Sequence, residues 1–250
     1  MKIIKFIKDK TNKYKVIIDD EEYKLYDDTI IKYHLLTKKD INKKELDEVL
    51  SYNDELTSYY ESIKYINRKM RSEKEIREYL KKKEISDIII NKTIKKLYDN
   101  NFLNEELYLK AYINDRINLS NDGPLKIKRD LLKLGLKESD IDNYLNNISN
   151  DIWNDKIDNM ISKRIKTNHK DSSYTLRSKI LLNLVNLGFY KEDVLSILNR
   201  YDIIDNDIYV KEKEKIYNKL SKKYSGYELD QKVKAKLYQK GFRGSESYEE

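Results

Sequence analysis

A helical signature that recurs four times after residue 70 constrains the fold more than any other feature of the sequence. Each copy has an aliphatic residue, then a Leu, then a Gly or its substitute, then an apolar residue. The four copies are Ile76-Leu80-Glu84-Ile85, Ile127-Leu131-Gly135-Leu136, Ile180-Leu184-Gly188-Phe189 and Val233-Leu237-Gly241-Phe242. They start about 50 residues apart, a period that is typical of repeat proteins.

The spacing within each copy indicates the last turns of a helix. The aliphatic residue and the Leu lie on one face because they are four positions apart. The Gly stands where a helix ends, since a left-handed conformation costs glycine nothing. The next apolar residue can then fold back onto the last turn. We call these four helices the anchor helices.

Composition favours a helical protein with a polar surface. Charged residues make up 38% of the chain, against an average of about 25%. The single Pro and six Gly favour long helices, and the absence of Cys excludes disulfide and thiolate chemistry. No apolar run approaches the roughly 18 residues of a membrane span. We therefore expect a cytoplasmic protein with no membrane partner.

The net charge of +7 is not spread evenly along the chain. Residues 1–55 carry a net charge of −1, so the excess of positive charge lies in the remainder. Such an excess permits attraction to a polyanion but does not demand it.

Local signals predict the order of elements. Residues Ile3–Ile7, Tyr14–Ile18 and Tyr23–Tyr26 are rich in β-branched and aromatic side chains, which favours three short antiparallel strands. Ser72 and Glu75 have the spacing of a capping box, which marks the start of a helix. We take this anchor helix as the first helix of the first repeat. Pro124 is expected at the first position of a helix.

We therefore predict a mainly α protein of tandem three-helix repeats in an elongated or curved array, with a small N-terminal β-containing extension. The predicted divisions are an extension at 1–55, repeats at 56–120, 121–167 and 168–224, a partial fourth repeat at 225–244 and a disordered tail at 245–250.

Reactive groups in catalytic patterns are missing from the sequence. His34 and His169, the only two histidines, are not at metal-ligand spacing from each other. There is no Gly-rich phosphate loop, no serine elbow and no HExxH motif. We predict a protein that is not an enzyme, with no catalytic residues, no metal and no cofactor.

Three ordered motifs resemble the RecX family of RecA regulators. The motifs are Arg71-Ser72-x-x-Glu75-Ile76-x-x-x-Leu80-x-x-Lys83, Phe102-Leu103-Asn104-Glu105-Glu106-x-Tyr108-x-x-Ala111-Tyr112 and Gly123-Pro124-x-x-Ile127-x-x-x-Leu131-x-x-x-Gly135. The resemblance covers about residues 56–242. Glu84 departs from it, standing where the family usually has Gly, so we expect the first anchor helix to close differently.

The resemblance implies a non-enzymatic modulator that lies in the groove of a RecA filament on DNA. It would limit filament growth, ATP turnover, strand exchange and the stimulated self-cleavage of the SOS repressor. The implied partners are the RecA filament and, weakly, DNA. We expect the protein to act as a monomer.

Basic residues beside the anchors are the candidate contacts to filament or DNA. Those adjacent to an anchor are Arg77, Lys126, Lys128, Lys179, Lys232 and Lys234, and Arg68, Arg71, Lys82, Arg129 and Lys133 could extend the surface. One interpretation is a repeated ladder of contacts. The other is that these side chains border the core, burying their stems and leaving their charges in water. Trp153 and the many Tyr are expected in the core.

Two other functions remain open at this point. The repeats could act as helix-turn-helix-like readers in a stand-alone DNA-binding protein, whose affinity would fall steeply with salt. Alternatively, the chain could be a structural scaffold for another protein.

Overall fold

The structure, a computed structural model, describes residues 1–9 and 12–243. Its elements are β1 (Ile3–Lys8), β2 (Lys13–Ile18), β3 (Glu21–Tyr26), α1 (Asp27–Lys32), α2 (Lys43–Arg68), α3 (Glu73–Lys81), α4 (Asp87–Asp99), α5 (Glu105–Leu119), α6 (Pro124–Lys133), α7 (Glu138–Asn146), α8 (Asn150–Lys166), α9 (Ser173–Asn186), α10 (Lys191–Leu198), α11 (Asn206–Leu220) and α12 (Gly226–Gln239). The prediction of a mainly α protein with a small N-terminal sheet is confirmed. Among the described residues, no helix is long and apolar enough to cross a membrane. The predicted tail at 245–250 lies outside these residues.

The chain forms two compact units, of which the first comprises Met1–Leu109 and Leu134–Leu136. Its sheet is antiparallel in the order β1-β2-β3, and Val16 of β2 pairs with Phe6 and Tyr23 on either side. The apolar face of the sheet shares one core with α1 and α2, in which Val16 and Val49 are fully buried. Burial of β-branched side chains on one face explains why these short strands form.

Asn53 of α2 ties this helix to the sheet. Its side-chain oxygen accepts hydrogen bonds from the Tyr26 backbone N–H (2.9 Å) and the Thr29 hydroxyl (3.2 Å), and its nitrogen donates to the Lys24 carbonyl (3.1 Å). Residue 55, where the sequence interpretation divided the extension from the first repeat, lies inside α2, which runs from Lys43 to Arg68. Its first half covers the sheet, and its second half packs on α3 and α4. The division at residue 55 therefore falls within a helix.

The first anchor helix, α3, begins and ends as a helix of a repeat should. Ser72 and Glu75 form the predicted capping box, in which the side chain of each residue accepts a hydrogen bond from the backbone N–H of the other. Glu84 takes a left-handed conformation (φ 61°), as Gly188 does at the end of α9 (φ 91°). The Ile85 N–H donates to the Leu80 carbonyl, just as the Phe189 N–H donates to the Leu184 carbonyl. The expected difference in closure is therefore wrong, because the backbone imposes the same turn on Glu84.

The second unit comprises Lys110–Lys133 and the described chain from Lys137 onwards. In it α8, α9 and α10 all pack on one another, while α6 packs on α7 and α11 on α12. Pro124 occupies the first position of α6, as predicted. Gly123 lies against the backbone of Gly188, where an added Cβ would come within 2.5 Å of a carbonyl carbon. That contact requires glycine at position 123.

The anchor residues of all four anchor helices are buried. The aliphatic residues Ile76, Ile127, Ile180 and Val233, and the Leu residues Leu80, Leu131, Leu184 and Leu237, are all at most 3% exposed. In the bundles α2–α3–α4 and α8–α9–α10, however, the anchor helix is the second of three, whereas the sequence interpretation counted it as the first. Capping signals mark where a helix starts and stops, but they do not show which neighbour it packs on.

Candidate functional site

At least six of the eleven candidate cations form ion pairs among the described residues. The pairs are Arg71–Glu75 (2.9 Å), Arg77–Glu73 (2.6 Å), Lys126–Asp122 (2.5 Å), Lys128–Asp142 (2.7 Å), Lys179–Asp171 (2.6 Å) and Lys232–Glu228 (3.5 Å). We call these six the paired cations. The arrangement agrees with the interpretation of side chains that border the core and are neutralised locally.

Two of the paired cations show what these pairs do. The hydrogen bonds that Lys128 donates to Asp142 and Glu138, together with the charges of these two carboxylates, raise the pKa of Lys128 to about 12. Asp122 is 5% exposed and meets both Lys126 and Arg116. Burial alone would raise the pKa of Asp122, but the hydrogen bond and charge of Lys126, helped by Arg116, lower it overall. These pairs fix the start of α6 and its contact with α7.

Four other candidates have side chains free to contact a partner. Arg68, Lys82, Arg129 and Lys234 are exposed and have no hydrogen bond, ion pair or ring contact among the described residues. Lys133 is also exposed. Trp153, in contrast, is 7% exposed, which agrees with its expected place in the core.

A groove between α8 and α9, which the sequence interpretation missed, lies in the second unit. It has a volume of about 630 Å³. It is lined by Asn121, Asn159, Met160, Lys163, Arg164, Thr167, Lys179, Ile180, Asn183 and Leu184, and we call it the α8–α9 groove. Its floor is apolar and its rim carries three cations. Of the eleven candidates, Lys179 alone lines this groove.

The end of α8 supplies an unneutralised cluster of positive charge. Lys163, Arg164, Lys166 and Lys170 are all exposed, and within the described chain their side chains have no hydrogen bond, ion pair or ring contact. We call these four the α8 cations. The signal was present in the sequence as KRIKTNHK at 163–170, a run of eight residues with no acid.

Lys156 of α8 holds the C-terminal end of α5 against α8. Its ammonium group donates to the carbonyls of Ile117 (2.8 Å), Ser120 (3.0 Å) and Arg116 (3.3 Å). The carbonyls at the end of a helix lack partners within that helix, and Lys156 supplies one here, although the Arg116 carbonyl also accepts from the Ser120 N–H and hydroxyl. Burial lowers the pKa of Lys156, while the charge of Asp122 opposes that shift. The position of the segment before α6, including Asn121 at the groove, depends on this contact.

Metal chemistry finds no support in the described part of the chain. No group of three or more His, Cys, Asp or Glu side chains there could hold a metal ion. The site offers cations, amides and an apolar floor, which can bind but do not form a nucleophile with a base.

Comparisons with known proteins place this arrangement in a family. The family model "RecX, first three-helix domain" matches residues 59–97, which span the end of α2, all of α3 and most of α4. That span has the anchor helix in the middle, as the packing does.

Relatives match along nearly the whole chain. The regulatory protein RecX of Streptococcus agalactiae serotype III (strain NEM316) is 32% identical over 97% of this chain and 95% of the relative. A crystal structure of regulatory protein RecX shares the fold with a TM-score of 0.67 at 20% identity, covering 80% of this chain and 100% of that one. The crystal structure of RecX from Lactobacillus salivarius has a TM-score of 0.56 at 25% identity, covering 61% and 99%. The chain therefore belongs to the RecX family of regulatory proteins.

Proposed function

We propose that this protein binds the RecA recombinase filament on DNA and modulates it, mainly by inhibition. The affected activities are filament growth, ATP hydrolysis, strand exchange and coprotease activity. The observation that carries the proposal is the identity of 32% along 97% of the chain to a protein named regulatory protein RecX. The tandem anchor helices and the free cations support a role in binding, because neither feature supplies a reactive group.

The free candidates are the residues we assign to filament contacts. Arg68, Lys82, Arg129 and Lys234 are available without breaking an internal ion pair. A paired cation would have to break its ion pair within the protein before it could contact the filament, and this cost lowers the net free energy that it contributes to binding. We therefore expect the free set to contribute more to filament affinity than the paired cations do.

The test is the DNA-dependent ATPase of RecA, with and without an equimolar excess of the full chain. We expect inhibition, with strand exchange falling in parallel. The quadruple variant R68Q/K82Q/R129Q/K234Q should need a several-fold higher concentration for the same inhibition. The control K39Q/K95Q/K211Q/K222Q removes the same charge at other exposed lysines and should behave like wild type. Unchanged ATPase and strand exchange with the wild-type chain would refute the proposal.

A second candidate function is stand-alone binding of duplex DNA. The α8 cations favour it, because unneutralised clusters of positive charge attract phosphates. It predicts duplex affinity that falls steeply between about 50 and 200 mM salt, in the absence of recombinase. The first proposal predicts weak duplex binding and strong binding to the filament, so the same titration in both states separates the two functions.

A further inference from the structure

The α8–α9 groove combines features that none of the candidate residues chosen from sequence explains. Three amide side chains, Asn121, Asn159 and Asn183, line it without a hydrogen-bond partner among the described residues. They come from three separate segments of the chain that folding brings together. A single exposed amide that faces water does not indicate a binding site, but here all three line one cavity.

The floor of the groove is apolar and continuous with the core. Ile180 and Leu184 of the anchor helix are buried, and Met160 of α8 is half-buried. A cavity of about 630 Å³ with an apolar floor and a few convergent polar groups lies within the size range of small-molecule sites, about 300–1,000 Å³. Amides both donate and accept hydrogen bonds, as the edge of a nucleobase requires of its partners.

The rim supplies the charge that phosphates need. Lys163 and Arg164 line the groove directly, and Lys166 and Lys170 follow along the same segment. Lys179 stands on the α9 side, where it pairs with Asp171, the one acid between residues 163 and 179. Cations near the C-terminus of α8 also interact favourably with the negative end of its dipole, and this interaction accounts for the presence of one or two of the four. It does not explain a run of four without a carboxylate partner.

We propose that the α8–α9 groove binds single-stranded nucleic acid, with an unpaired base on the apolar floor and flanking phosphates on the α8 cations. The inference rests on the proposed function in that DNA is part of the filament, and it gives that DNA a direct contact. A base held in a duplex cannot reach the floor, so only phosphate contacts remain for duplex DNA. An acidic protein segment could meet the cations but gives no role to the three amides.

The phosphate contacts are tested with a fluorescein-labelled oligothymidylate of about 20 nucleotides, followed by fluorescence anisotropy on the full chain. Each lost phosphate contact lowers the salt slope by about 0.7 for single strands. We therefore expect K163Q/R164Q to bind about tenfold more weakly at moderate salt, with a slope shallower by about 1.4. The matched control is K222Q/K223Q, which removes two adjacent exposed lysines just after α11. Equal losses in the two variants would overturn the proposal.

The base contact is tested separately with an abasic strand of the same length and charge. Wild type should prefer oligothymidylate to the abasic strand by several-fold. Asn183→Phe places a bulky ring at the groove from an exposed position on α9, so it should remove that preference while retaining phosphate binding. Circular dichroism would verify that the variant is folded. No preference in wild type, or a polyglutamate peptide that competes as well as oligothymidylate, would overturn the proposal.

The outcome is separable from that of the proposed function. If wild type inhibits RecA ATPase but K163Q/R164Q binds the strand like its control, the groove assignment is wrong and the filament proposal stands. If wild type leaves the ATPase unchanged yet binds the strand through the groove, the filament proposal fails and the site remains.

Discussion

The paired cations and the α8 cations carry the same charge but serve different ends. Each paired cation has a carboxylate within 3.5 Å. The α8 cations have none among the described residues. Five of these carboxylates lie four to eight residues from their cation in sequence, and the sixth, Asp142, lies on the helix after that of Lys128. A position in the last turn of α8 or just beyond it places the cation in water. A carboxylate four to eight residues away is therefore the sign of a cation that stabilises the fold, and a run of cations without such an acid is the better sign of binding.

The largest loss of stability should come from substituting Gly188, which lies against the backbone of Lys126, one of the paired cations. A Cβ on Gly188 would lie 2.4 Å from the backbone nitrogen of Lys126, and the residue is left-handed (φ 91°). We expect Gly188→Ala to lower the free energy of unfolding by more than about 3 kcal/mol, measured by urea denaturation. Gly226→Ala is the control, since Gly226 is also left-handed (φ 57°) but has open space around it. It should cost only about 1 kcal/mol. Equal losses would mean that close packing at Lys126 is unimportant.

The next effect concerns the buried carboxylate that two cations share. Asp122→Ala leaves Lys126 and Arg116 without that partner, and both side chains can then turn to water. We expect a loss of about 2 kcal/mol in the free energy of unfolding. Asp142→Ala removes one of the two carboxylate partners of Lys128, and Asp142 is far more exposed than Asp122, so this change should cost about 0.5 kcal/mol or less. The reverse order would contradict the assignment of Asp122 as the main clamp.

The same carboxylate predicts a dependence on pH. The pKa of Asp122 is lowered in the folded protein, so its contribution is fully present above the pKa of the unfolded chain, about 3.9. It is lost as the pH falls through the lower folded value. The difference in unfolding free energy between wild type and Asp122→Asn should therefore shrink below about pH 4. A difference that stayed constant from pH 7 to pH 3 would mean that the Asp122 charge does not matter.

Local signals in the sequence predicted much of the fold and little of the site. The anchors, the capping box at Ser72 and the strands depend on residues close in sequence, so periodicity and spacing reveal them. The order of helices within a bundle depends on tertiary packing, which spacing does not encode. The α8–α9 groove unites Asn121, Asn159 and Asn183 from distant segments. Only the charge run at 163–170 could have pointed to it.

A smaller effect would sharpen the comparison of helix ends. Glu84 adopts the left-handed conformation that Gly188 adopts in the third copy. Because a side chain there costs roughly 1 kcal/mol, Glu84→Gly should raise the free energy of unfolding by up to about 1 kcal/mol. Glu84→Ala keeps the left-handed penalty and removes the charge, so it serves as the control and should not stabilise. A stabilising alanine would assign the effect to charge in place of backbone strain.

The smallest effect on stability should come from the α8 cations. Lys163 and Arg164 have no partner to lose among the described residues, and only their interaction with the end of α8 is at stake. We expect K163Q/R164Q to change the free energy of unfolding by about 0.5 kcal/mol or less, because exposed charges near a helix end contribute little in salt. Arg77→Gln, which removes contacts to Glu73 and Asn91, should cost more than both changes together. If the α8 double variant were the less stable of the two, its charges would be structural and the distinction between the two sets of cations would fail.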